Sequence, residues 1–164
     1  MNEVDILATG TDFIKAGARG IQPVTEETVR HARREVQVLA YVLTPEALSL
    51  LDLIESAAER GVKVSIIVNG LDGQPSVIKS KLRRLVEMFP YVRVSSFENE
   101  DGGQLHAKII IVDREAAIVG SANLTWRGMF SNYEIAILVR GDAAWKLATI
   151  FDSLAVRLAS RKKL

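Results

Sequence analysis

The 164 residues carry 48% hydrophobic and 25% charged side chains and a net charge of +1. This is the balance of a folded globular chain, not of a disordered, collagen-like or membrane-spanning one, and its length suits one domain over 1–164. So small a charge excess neither supports nor excludes nucleic acid as a partner, whose site would have to be a local patch. The absence of cysteine excludes disulfides and thiolate zinc sites and fits a reducing, cytoplasmic setting. Met1 to Gly10 has neither the basic stretch nor the long apolar run of a targeting or membrane segment.

Val4 to Thr9 reads as a short strand. After the glycine-containing stretch to Pro23, a helix is expected from Thr25, whose hydroxyl can cap it, to about Arg34. Val36 to Val42 is an apolar, β-branched run too short for an independent helix, hence a buried strand. Thr44 and Pro45 then start a helix over about 45–60, with Leu51, Ile54 and Ala58 at helical spacing and Gly61 just past its end. Val62 to Val68 is the next strand, and strand, helix, strand at this spacing implies parallel pairing through a right-handed crossover. Residues 69–73 form a loop. Ser76 to Met88 is helical, with Val77, Ile78, Leu82, Leu85 and Val86 on one apolar face, and Val92 to Phe97 is a strand. Beyond the acidic, glycine-rich loop 98–103, His106 to Val112 and Ala116 to Gly120 read as two strands joined at Asp113-Arg114-Glu115. Tyr133 to Val139 is a further strand, Asp142 to Ala159 a closing helix, and Arg161 to Lys163 a frayed tail. The pattern defines an α/β chain with a mixed, largely parallel central sheet and helices on both faces.

Residues 106–123 carry the chemistry. Side chains two apart on a strand share a face, so His106 and Lys108 project together, and Ser121 and Asn123 repeat that spacing just after the following strand. Imidazole, ammonium, hydroxyl and amide brought together suit a phosphate, with Lys108 and Asn123 donating to its non-bridging oxygens. Asp113, at an odd interval from His106, points elsewhere and is expected to shape the turn. Each residue alone has an ordinary explanation as a strand-edge histidine, a snorkelling lysine, a turn glycine or a cap. The joint spacing does not.

The segment resembles the phospholipase D superfamily pattern H-x-K-x4-D-x6-G-S-x-N. All its specified positions match, against a chance occurrence on the order of 10⁻⁶. The resemblance extends over roughly 35–140, including Asn132-Tyr133-Glu134 and the helix-to-strand junction at 57–64. It implies a phospholipase D-like fold with His106, Lys108, Asn123 and Glu134 catalytic, Glu134 orienting His106 as the third member of a triad. Gly120 and Ser121 would bind substrate, and Asp113 would support the motif. No metal or cofactor is implied. The implied mechanism needs two histidines, one forming a phosphohistidine and one acting as acid and then base. With one motif per chain, a homodimer with a composite site is expected, and one neutral and one charged imidazole give a bell-shaped pH profile.

Short single-motif members of the family resemble bacterial endonucleases, so the reading is a non-specific nuclease acting on DNA or RNA. The alternatives are phospholipid hydrolysis, for which no basic-faced amphipathic segment or stable membrane association is expected, and a non-catalytic nucleic-acid-binding or defence-complex subunit. His31 in the basic run 30–34, and Lys79, Lys81, Arg83 and Arg84, read as solvated helix faces rather than a nucleic-acid groove. Trp126 and Phe130 could wall the channel, stack a base or pack inside.

Overall fold

The structure is a computed structural model that describes residues 3–99, 101–125 and 127–161, so Trp126 and the Lys162-Lys163 tail lie outside it. Its strands are β1 (Val4–Thr9), β2 (Arg19–Gly20), β3 (Glu35–Ala40), β4 (Lys63–Asn69), β5 (Val92–Phe97), β6 (Ile109–Val112), β7 (Ala116–Gly120) and β8 (Glu134–Arg140). They form one eight-stranded sheet in the order β2-β1-β8-β7-β6-β3-β4-β5. The helices are α1 (Thr11–Lys15), α2 (Ile21–Arg30), α3 (Leu48–Glu59), α4 (Ser76–Met88) and α5 (Asp142–Arg161). No helix among the described residues is long and apolar enough to cross a membrane.

The sheet is mixed and flanked by helices on both faces, as expected, but it is not largely parallel. Parallel pairing is confined to β3–β4–β5 and the short β1–β2 contact, while β1–β8, β8–β7, β7–β6 and β6–β3 run antiparallel. The cause is connectivity. Helical crossovers through α1, α3 and α4 join the parallel neighbours, whereas β6 and β7 are joined by a tight turn that reverses the chain.

Alternation along the strands builds two layers. Val36, Val38, Val64, Ile66 and Ile110 pack against α2, α3 and α4. Leu39, Ile67, Ile111, Ala117 and Val139 pack against Ala144, Ala148 and Phe151 of α5. Adjacent Ile66 and Ile67, each 2% exposed, thus serve opposite layers, and each buried isoleucine contributes roughly 2 kcal/mol.

Helix boundaries differ from expectation in instructive ways. The second helix starts at Ile21, so Pro23 sits inside its first turn, where a missing N–H loses nothing. Thr25 is therefore no cap; its hydroxyl donates to the Ile21 carbonyl. Before α3, residues 45–47 form a 3₁₀ turn, and the helix ends in a left-handed Gly61 whose N–H, with that of Val62, meets the Ala58 and Ala57 carbonyls. On α4 only Ile78, Leu82 and Leu85 are buried, while Val77 and Val86 flank that stripe in solvent. Lys81 is not solvated but pairs with Asp52 at 2.6 Å and Glu55 at 2.5 Å. The sequence reading did not include α1, β2 or the π-helical turn Arg127–Ser131.

The β6–β7 turn, residues 113–115, has Asp113 and Arg114 both at positive φ, 56° and 60°, and Glu115 N–H donates to the Val112 carbonyl at 3.0 Å. At Arg114 the positive φ costs about 1–2 kcal/mol. Ion pairs from Arg114 to Glu35 and Asp152 offset part of it. Asp113 is buried, and its carboxylate accepts backbone N–H bonds from Arg33 (2.9 Å), Arg34 (2.7 Å) and Glu35 (2.9 Å). These bonds pull the chain out of α2 and into β3, so the helix ends at Arg30 and not near Arg34. Asp113→Ala leaves three N–H groups without their acceptor and is expected to cost about 3 kcal/mol. That lowers Tm by roughly 6–12 °C, read by circular dichroism, with Asp113→Asn losing less.

Candidate active site

The sequence-predicted residues, Asp113 apart, gather at one end of the sheet. There β1 and β3 finish, β7 ends at Gly120, β8 begins at Glu134, and the chain enters β6 through His106 and Lys108. Asp113 lies at the far end of β6, as does His31, whose Nδ1 is 2.8 Å from the Glu27 carbonyl.

His106 and Lys108 precede β6, which starts at Ile109 and not at His106, yet the ladder persists because Gly120 N–H donates to the Lys108 carbonyl at 3.3 Å. Lys108 Nζ donates to the His106 carbonyl at 2.6 Å and sits 3.1 Å from His106 Nδ1. An ammonium has no lone pair, so the ring nitrogen facing it must be the acceptor. Partial burial pushes the Lys108 pKa below its ordinary 10.5, and the negative charge of Glu134 acts against that shift.

Glu134 does not bond to His106, contrary to expectation. Its oxygens take the Ser121 hydroxyl and, at 3.1 Å, the Asn132 amide. The reason is spacing: β7 lies between β8 and β6, so the two backbones stand about 10 Å apart. Ser121 fills the gap and also meets the Ile135 backbone.

Gly120 is required for packing. A Cβ there would lie 2.5 Å from the Ala136 Cβ and 2.8 Å from the Ile135 carbonyl oxygen. Asn123 follows on the segment tied to the exit of β3 by a Leu43–Leu124 bridge, and its buried side-chain oxygen has no hydrogen-bond partner among the described residues. Gly128, in the π-helical turn, presses against it; a Cβ would come within 2.5 Å of the Asn123 carbonyl oxygen. Buried Thr9 holds that turn by donating to the Asn132 carbonyl at 2.7 Å. Phe130 is exposed on the same turn.

Sequence reasoning missed Tyr41, Asn69 and Gln74. The Tyr41 ring packs on His106 with centroids 4.5 Å apart. Gln74 is a buried amide accepting from Leu43 N–H at 2.9 Å. Asn69 accepts from Leu105 N–H at 2.8 Å. The available signal was an amide or aromatic at the end of an apolar strand, as Asn69 and Tyr41 are, or in the loop beyond it, as Gln74 is, which is common enough to pass as a turn. Among the described residues, no three His, Asp or Glu side chains group closely enough to hold a metal ion.

A mixed sheet presenting histidine, lysine, serine and glutamate at one end defines a phospholipase D-like domain. Residues 26–155 match the family described as "Cardiolipin synthase, PLD-like domain". The chain belongs to that family, within the phospholipase D superfamily, whose members act on phosphodiester bonds. Cardiolipin synthase A of Buchnera aphidicola (subsp. Acyrthosiphon pisum, strain APS) is 30% identical over 136 residues, covering 83% of this chain and 27% of that protein. The chain therefore spans about a quarter of the relatives it matches in sequence. Among solved structures, Nuc from Salmonella typhimurium, a phospholipase D family member, superposes with a TM-score of 0.74 at 18% identity over 93% of both chains. NucT from Helicobacter pylori gives 0.74 at 19% identity over 93% of this chain and 95% of that one.

Removing the Glu134 charge takes away the interaction that opposes the fall in the Lys108 pKa. Glu134→Gln is therefore expected to move Lys108 deprotonation to still lower pH, observed as an acid-ward shift of its side-chain NMR titration. An unchanged or higher midpoint would contradict this charge balance.

Proposed function

We propose that the chain is a metal-independent phosphodiesterase, acting as an endonuclease on DNA or RNA at a site shared by two copies. The observation that carries this reading is the His106–Lys108 pair, an imidazole with a lone pair held by an ammonium at an open sheet end. A phosphate brings oxygens that compete for that ammonium. As Lys108 turns to them, the imidazole is released to attack phosphorus, forming an N–P bond as the bond to the leaving oxygen breaks. Imidazolium at His106 of the partner subunit gives that oxygen a proton. The now neutral partner imidazole then takes a proton from water, whose oxygen attacks phosphorus and breaks the N–P bond. Lys108 and Asn123 would meet the non-bridging oxygens.

A surface suited to the second copy adjoins the site. On the α5 side of the sheet, Val4, Ile6 and Ile135 pair with or follow the register of Val139 and Ile137 but lie beyond the helix, 54%, 56% and 53% exposed. Ile135 directly follows Glu134. Contiguous exposed apolar side chains of this kind mark association surfaces.

Nuclease is favoured over lipid because the fold corresponds along nearly the whole of Nuc and NucT. The second reading, phospholipid phosphodiester chemistry, is favoured by the similarity to cardiolipin synthase A over 83% of this chain.

Single-stranded DNA, duplex DNA, RNA and phosphatidylglycerol vesicles, each with excess chelator, separate the readings. Cleavage of nucleic acid that survives chelation and disappears in His106→Ala is expected. Dependence on a divalent cation, or a fully active monomer, would overturn the mechanism. Turnover of lipid alone would select the second reading, and binding without turnover a non-catalytic role. Ile6→Asp is expected to shift the protein towards monomer in light scattering and to reduce activity in parallel.

A further inference from the structure

Among the described residues His106 donates no hydrogen bond to a carboxylate, and its exposed ring is contacted by the Lys108 ammonium and the Tyr41 ring. The geometry points to Tyr41 as a positioning residue that holds the His106 imidazole and the Lys108 ammonium in mutual register. This inference rests on the reading of that pair as the reacting groups.

Tyr41 follows β3 directly, and continuing the β3–β6 register from Leu39↔Ile109 sets it across from Ala107, between the two. Its ring lies against the imidazole at 4.5 Å and 51°, and Lys108 Nζ stands 5.1 Å from its centroid. One aromatic face thus limits rotation of the imidazole and attracts the ammonium. Its exposed hydroxyl donates to Gln104 Oε1 at 3.0 Å, away from the imidazole and the ammonium that the ring contacts.

The backbone beneath is equally constrained. Gln74 Nε2 donates to the carbonyls of Tyr41 at 3.3 Å and Asn69 at 3.0 Å. The Asn69 side chain in turn takes the N–H of Leu105. Tyr41 and the approach to His106 are therefore fixed by the same pair of amides. Tyr41 belongs to none of the buried apolar clusters, so its ring serves the site and not the core.

The test compares the full chain with Tyr41→Phe and Tyr41→Leu, using bis(4-nitrophenyl) phosphate in chelator and NMR of the His106 imidazole. With the ring retained, Tyr41→Phe is expected to keep kcat within about twofold. Tyr41→Leu is expected to lose tenfold or more in kcat at nearly unchanged KM, because a small misplacement of reacting groups costs about that much. Its His106 Cε1–H resonance should also lose the shift imposed by the neighbouring ring. Retained kcat with an unmoved resonance in Tyr41→Leu overturns the inference, as does equal loss in Tyr41→Phe, which would assign the effect to the hydroxyl. Hydrolysis that persists in His106→Ala would instead sink the reading of the site, while the His106 resonance still decides whether Tyr41 orients the ring.

Discussion

Three backbone N–H groups at 33–35 converge on the carboxylate of Asp113, and the register of the functional end of the sheet follows from that clamp. The three-residue turn 113–115 pairs Val112 with Ala116, which commits Ile109 to Val119 and brings Lys108 opposite Gly120. The same carboxylate ties the start of β3 to the turn, pairing Val36 with Val112 and delivering Tyr41 beside His106. A slip of one residue would send His106 and Lys108 to the opposite face. Asp113 and His106 are seven positions apart on nearly extended chain, roughly 20 Å. They belong to one motif because one sets the alignment in which the other works, without touching the same ligand.

Much of this was legible in the sequence where a local signal had a single structural solution. β5, β7 and α4 carry the bounds read from periodicity, because β-branched runs and an amphipathic repeat were closed by unambiguous turns. The joint spacing of His106, Lys108, Ser121 and Asn123 likewise pointed to one end of adjacent strands. Legibility ended where the answer depended on residues distant in sequence. The end of α2 is set by Asp113, some eighty positions away. Pro23 suggested a boundary but sits where a helix tolerates it. The sense of the sheet was misread because one βαβ unit was generalised to strands that are joined by reversals. For Glu134, motif order implied a triad, but strand order in space placed β7 between it and the histidine.

Gly120 shows how a motif position can be indispensable through close packing. The β7 backbone must lie close enough to Ala136 for Ser121 to reach both Glu134 and the Ile135 backbone, and any Cβ at 120 would collide first. Gly128 does the same for Asn123, allowing the π-helical turn to press on its backbone. Both glycines work by close approach, and neither has a positive φ. Site precision here comes from packing two backbones tightly, which leaves the polar side chains little freedom.

Charge at the site is balanced in the same economical way. Burial favours neutral Lys108, whereas a phosphate site without metal needs its full positive charge. Glu134 counteracts the burial from two strands away, a separation that keeps it from neutralising the ammonium in a direct ion pair. The Lys108 hydrogen bonds go to weaker acceptors, the His106 carbonyl and ring nitrogen. Anionic phosphate oxygens are stronger acceptors than either. In the proposed reaction, binding substrate and freeing the nucleophile therefore become one exchange of hydrogen bonds, with Tyr41 keeping the imidazole in place as the ammonium leaves it.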